Sequence, residues 1–252
     1  MPVTNRRRIF AARATAVVAT VLLPGRWRVA AWVAHELLRI GPAVIRNNDW
    51  YGPVAKTFQT ETREVWLTID DGPTPSQTPE IIELLARRGA RASFFVIGEK
   101  VNWNRDLSRR IVAEGHTLEN HTQTHPSGLF WAMPSCLIRE EIVRCQHAIR
   151  VAAGVSPTWF RSPAGMTNPG VHPIAARHWL RVAGWSADGL DGLPGREPEA
   201  AVERIWRRVK PGAIVVLHEG EGRRPVETLS LLLDRLDATG YRCVIPEGRR
   251  VS

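Results

Sequence analysis

The run Glu64–Val65–Trp66–Leu67–Thr68–Ile69–Asp70–Asp71–Gly72–Pro73 decides the fold. Its first six residues are rich in the β-branched and aromatic side chains that suit a pleated strand, and Asp-Asp-Gly-Pro ends it in a turn. Two adjacent carboxylates repel unless a cation holds one of them. The pair therefore reads either as a solvated turn or as a metal ligand beside a free base. A helix follows, with Thr78 as its cap, Pro79 in its first turn and Gly89 at its end.

Moving outward, the same alternation repeats. Further strands are expected at Ala92–Ile97, His116–Glu119, Thr158–Phe160, Leu180–Trp185, Ala213–Leu217 and Tyr241–Ile245, with helices at Asp106–Glu114, Leu137–Val151, Glu199–Val209 and Val226–Thr239. This is the rhythm of an α/β protein with a parallel sheet or closed barrel and helices outside. Such folds carry their chemistry where strands end. The polar clusters obey that rule: Asp70–Pro73, His121–His125, Arg161–Gly165, Asp188–Asp191 and His218–Glu219 each follow a strand.

His121 and His125 are four residues apart, a spacing that sets two imidazoles on one face of a helical turn, where both reach one metal. With an aspartate they form a mixed nitrogen and oxygen shell. Such a shell favours zinc, with manganese, cobalt, nickel and iron as alternatives. His218, at the mouth of an apolar strand, is placed to give a proton near neutral pH or to sit satisfied in the core. His116, His147, His172 and His178 read as structural or exposed, and His35 belongs to the amino-terminal segment.

The 252 residues suffice for one large domain, and 44% hydrophobic content fits a globular chain. The charge of +9 is spread along the sequence rather than gathered in a block, and no zinc-finger, basic-zipper or RNA-binding pattern accompanies it, so no nucleic-acid partner is expected. Cys136, Cys145 and Cys243 lack paired spacing and read as buried thiols. Arg6, Arg7 and Arg8 precede an apolar run, Ile9 to Leu23, broken by Arg13; a second stretch, Val29 to Leu38, follows. Residues 1–48 are read as a basic and apolar helical segment, either a signal anchor, a hairpin on a membrane surface, or helices capping the main domain. Residues 49–63 are read as a linker and 64–252 as the catalytic domain. The expected location is the bacterial-type cell envelope, membrane-anchored or periplasmic, with the cytoplasm as the alternative.

Taken together, T-I-D-D-G-P (Thr68–Pro73), H-T-Q-T-H (His121–His125), R-S-P-A-G (Arg161–Gly165), D-G-L-D (Asp188–Asp191) and L-H (Leu217–His218) resemble the polysaccharide deacetylases of the NodB-like group, in the family's order. The resemblance covers roughly Glu64 to Ile245. It implies a distorted (β/α)7 barrel and a metal-dependent hydrolase that removes N-acetyl groups from an amino-sugar glycan. By that resemblance Asp71, His121 and His125 are the metal ligands, Asp70 the catalytic base and His218 the general acid. Arg161 would orient Asp70, Asp188 would orient His218, and Pro163, Ala164 and Leu217 would meet the substrate. Ala164 and Gly192 depart from aromatic positions of the family, and Glu219 from a common aspartate. Trp103, Trp131 and Trp185 are candidates to stack on sugar instead. Two other readings stay open: a deacylase of a non-sugar amide or ester, and a silent envelope protein that binds glycan.

Overall fold

The structure is a computed structural model that describes residues 18, 24–246 and 251. All seven residues of β1 (Glu64–Asp70) are buried, because each face of the strand is covered. Val65, Leu67 and Ile69 turn outward into a core shared with α2 (Thr78–Arg87) and α8 (Pro225–Ala238), while Trp66 turns inward against Phe95 and Trp159. The period of two along the strand therefore separates a helix-facing core from a barrel interior.

On one side β1 is followed by β2 (Ala92–Val96), β3 (Thr117–Asn120), β4 (Trp159–Phe160) and β5 (Arg181–Val182); on the other lie β7 (Ala213–His218) and then β6 (Ala187–Asp188). Every ladder is parallel. β5 and β6, the two ends of the sheet, are successive parts of one stretch, so the sheet curls into a distorted barrel. β8 (Arg242–Cys243) pairs with Glu64 and Val65 at the amino end of β1.

All seven expected strands are present. The fifth is shorter than expected, its continuation at Ala183 bridging to Ala55, and β6 lies beyond the expected range. Two short helices escaped the sequence reading, α3 (Gly98–Trp103) and α6 (Val171–Arg177). The expected helices are α4 (Arg105–Ala113), α5 (Ser135–Ala153), α7 (Pro198–Trp206) and α8. Cys145 and Cys243 are buried as expected, whereas Cys136 is exposed.

The stretch expected as a linker, residues 49–63, packs into the domain. Val54, Ala55 and Phe58 are buried, and Thr57 bridges to Ala213. Ahead of it, α1 (Arg26–Ile40) exposes Trp27, Val29, Trp32, Val33 and Leu37. Among the described residues no helix is long and apolar enough to cross a membrane. The apolar run Ile9 to Leu23 lies outside the described residues apart from Val18.

Candidate active site

Asp70 ends β1 on its inward face, and that face continues through Thr68 to Trp66. Arg161, just past β4, is fully buried beneath it. Its guanidinium donates to Asp70 Oδ1 (2.6 Å), Thr68 Oγ1 (2.8 Å) and Gly184 O (2.8 Å), and lies 4.0 Å from the Phe95 ring centre. Burial pulls the Arg161 guanidinium below the usual arginine value, and the negative charge of Asp70 opposes that pull. The expected Arg161–Asp70 pair is thus present.

Asp71, one residue on, turns the other way through a left-handed backbone (φ 70). Its Oδ1 is buried without a well-formed hydrogen bond, yet His121 Nε2 and His125 Nε2 each stand 3.3 Å from it. His121 Nδ1 lies 2.8 Å from Arg161 O, a carbonyl that can only accept. Nδ1 therefore carries a proton, and Nε2 is the ring atom turned to the site, the one through which the neutral ring would bind a cation. The two imidazoles do not share a helical turn, as the spacing suggested. Residues 121–125 form a loop with Thr122 (φ 68) and His125 (φ 56) in the left-handed region. Ala164 (φ 53) and Leu190 (φ 57) are strained in the same way, so backbone strain gathers around this cavity.

One ligand atom from each of Asp71, His121 and His125 lies within 4.8 Å of the others. Burial alone would raise the Asp71 pKa, but His121 beside it, with His125 and His218, holds the carboxyl well below its ordinary value. Burial and the neighbouring His121 push His125 down to about 4, against Asp71 and Asp70. A carboxylate with a buried oxygen that lacks a hydrogen bond, facing two imidazole Nε2 atoms at 3.3 Å, fits a divalent cation.

His218 ends β7. Asp191 accepts both from its backbone N–H (Oδ2, 2.7 Å) and at Nδ1 (Oδ1, 3.1 Å). Burial lowers its pKa, but Asp191 first, then Asp70 and Asp71, raise it to about 9. Asp191, not Asp188, is the carboxylate that holds His218, which corrects the expectation from sequence. Asp188 instead caps its own loop at Leu190 N (3.1 Å), accepts from Trp185 Nε1 (3.1 Å) and pairs with Arg204 (3.4 Å). The left-handed Leu190 between them swings Asp191, rather than Asp188, toward the histidine.

These groups share a cavity of about 240 Å³ that also takes in Arg46, Ala164, Trp185, Leu193 and Arg223. Leu217 and Pro163 do not line it. In β7 the odd residues, Val215 and Leu217, face the helices, while Ile214 and Val216 face the interior with His218, so strand alternation turns Leu217 away from the mouth. Of the candidate tryptophans only Trp185 reaches the cavity; Trp131 lines a separate surface pocket and Trp103 is 75% exposed on α3.

Sequence reading missed three contributors. Arg223 donates to Asp71 Oδ2 (2.6 Å) and to Glu219 O. Glu141, on α5, accepts from Gln123 N, Thr124 N and Thr124 Oγ1, each at 2.8 Å, and so pins the histidine loop. Arg46 comes from the segment after α1. No local pattern marks them, since each acts across a long stretch of chain.

The family profile for polysaccharide deacetylase matches residues 58–183. The chitooligosaccharide deacetylase of Bradyrhizobium sp. (strain ANU 289) is 39% identical over 180 residues, which cover 71% of this chain and 77% of that protein. The solved Bc1960 peptidoglycan N-acetylglucosamine deacetylase has a TM-score of 0.71 at 26% identity, covering 79% of this chain and 94% of its own. BA3943, a CE4 family pseudoenzyme from Bacillus anthracis, scores 0.67 at 28% identity, covering 75% of this chain and 65% of its own. With the profile, the barrel and the sequence of a rhizobial relative in agreement, the chain belongs to the polysaccharide deacetylase family.

Proposed function

We propose that this chain is a metal-dependent hydrolase that removes the N-acetyl group from an amino sugar of a glycan. The observation that carries the reading is the buried, unpartnered Asp71 Oδ1 facing two imidazole nitrogens, with Asp70 and His218 beside it. The names of the relatives, deacetylases of chitooligosaccharide and of peptidoglycan N-acetylglucosamine, support the substrate class.

Asp71, His121 and His125 would hold the cation, zinc by the two nitrogens and one oxygen they offer. When bound it supplies Lewis-acid polarisation of the amide carbonyl and of a water molecule. Asp70, held in place by the Arg161 guanidinium, would act as the base that takes a proton from the attacking water. Ala164 lines the cavity, and its backbone N–H would serve as a donor to the developing oxyanion. His218, protonated and held through Nδ1 by Asp191, gives a proton from Nε2 to the departing amine. Acetate and a free amino sugar result without a covalent enzyme intermediate. Trp185 offers an aromatic wall where Ala164 lacks one.

We further propose that α1 rests on a membrane surface of the cell envelope through Val29, Val33 and Leu37, which recur every four residues along one face, with Trp27 and Trp32 on its flanks; the exposure of these apolar side chains supports this.

The kinship with a pseudoenzyme gives the silent alternative a specific form. Replacing Asp70 by Asn decides between them. On acetylated amino-sugar oligomers with metal supplied, the wild type should release acetate and the variant should lose about 10²–10⁴-fold in rate while still binding metal. Equal rates would remove Asp70 as the base, and no release by the wild type would favour the silent reading.

A further inference from the structure

Arg46 lies outside the residues matched by the family profile, yet it lines the active-site cavity. Its neighbours fix it there. Asn47 donates its backbone N–H to Gly165 O (2.9 Å) and its side-chain amide to Trp185 O (3.1 Å). The approach is close enough that a Cβ on Gly184 would come within 2.6 Å of Asn47 Oδ1. Asn48 Nδ2 reaches Pro42 O (2.7 Å), Ile45 O (2.8 Å) and Thr167 Oγ1 (3.3 Å), closing the turn that carries Arg46, and Ala43 within that turn is fully buried. The turn is built onto the Arg161–Gly165 loop rather than hanging from α1.

The charges around it are otherwise settled. Arg161 is paired with Asp70, Arg204 with Asp188 and Arg223 with Asp71. Among the described residues no carboxylate is paired with Arg46, an exposed residue that lines the cavity. A planar fork of donors with no internal counter-charge matches a carboxylate or a phosphate, which it can bind through two parallel hydrogen bonds.

We infer that Arg46 is a specificity-determining residue that binds an anionic group, a carboxylate or a phosphate, carried by the substrate sugar. The inference rests on the amino-sugar reading of this cavity. It makes the preferred substrate an acylated amino sugar with an acidic substituent rather than a neutral one.

Calorimetric binding of N-acetylglucosamine, its 6-phosphate and N-acetylmuramic acid to the full chain tests it, with acetate release followed in parallel. The wild type should bind at least one acidic sugar roughly tenfold or more tightly than the neutral one. Arg46→Gln should lose that margin while keeping its affinity for the neutral sugar, and Arg46→Lys should regain part of it. The phosphate and carboxylate arms identify which anion is read. Equal affinities in the wild type, a margin that survives Arg46→Gln, or no binding by any of the three overturns the proposal. Release of acetate from the neutral sugar with no acidic preference would refute this inference alone. Tight, Arg46-dependent binding of acidic sugars without acetate release would uphold it and count against the hydrolytic reading.

Discussion

Asp70 and His218 are register partners on the neighbouring parallel strands β1 and β7. Because both stand at the last position of their strands and on the inward face, the ladder that stabilises the sheet also sets the proposed base beside the proposed acid. One strand slipped by a single residue would turn its catalytic group into the helix layer.

The alkaline limb of activity should belong to His218. It acts as an acid, so activity is present while it is protonated and lost as pH rises through its pKa of about 9. Asp191→Asn removes the largest influence raising that value, and the limb should move toward the ordinary histidine range. Asp188→Asn should leave it in place. Profiles of kcat/KM against pH for the two variants check the assignment, and a limb that moves only with Asp188→Asn would reverse it.

Arg161 and Asp70 form an ion pair with both side chains buried. Removing one partner strands the other charge in the interior, so Arg161→Met should destabilise the fold by on the order of 3–5 kcal/mol in urea unfolding. Adding Asp70→Asn to that variant should restore part of the loss, because the stranded charge is gone. Strictly additive losses would show that the pair is not what the two residues contribute.

Glu141 touches no ligand, but it holds the loop that carries His121 and His125. Glu141→Ala should weaken metal binding about 10–100-fold with the three ligands intact. Competition with a chromophoric chelator measures this, and unchanged affinity would limit Glu141 to packing.

His116 is buried against Phe94, and burial, then Arg91, push its imidazole down to about 4. It is neutral in the folded protein, so its contribution is complete above the ordinary histidine value of 6.5 and is lost as pH falls from there toward 4. Denaturation of the wild type and of His116→Gln across that window should show the wild type losing up to about 3 kcal/mol relative to the variant. Parallel curves would contradict the burial of a neutral imidazole.

The strands, most helices and the polar strand ends were legible because strand periodicity, helix punctuation and turn chemistry are local. The sequence by itself determined a parallel α/β barrel with Asp70, Asp71, His121, His125 and His218 at one end of it. Tertiary structure decided which carboxylate serves His218, since Asp188 and Asp191 differ by three residues and only the left-handed turn at Leu190 swings Asp191 to the imidazole. It also turned Leu217 away from the cavity, and brought in Glu141, Arg223 and Arg46 from distant segments. Those choices depend on how loops close over the barrel mouth, and loop closure is set by contacts between residues far apart in the chain, which no local pattern encodes.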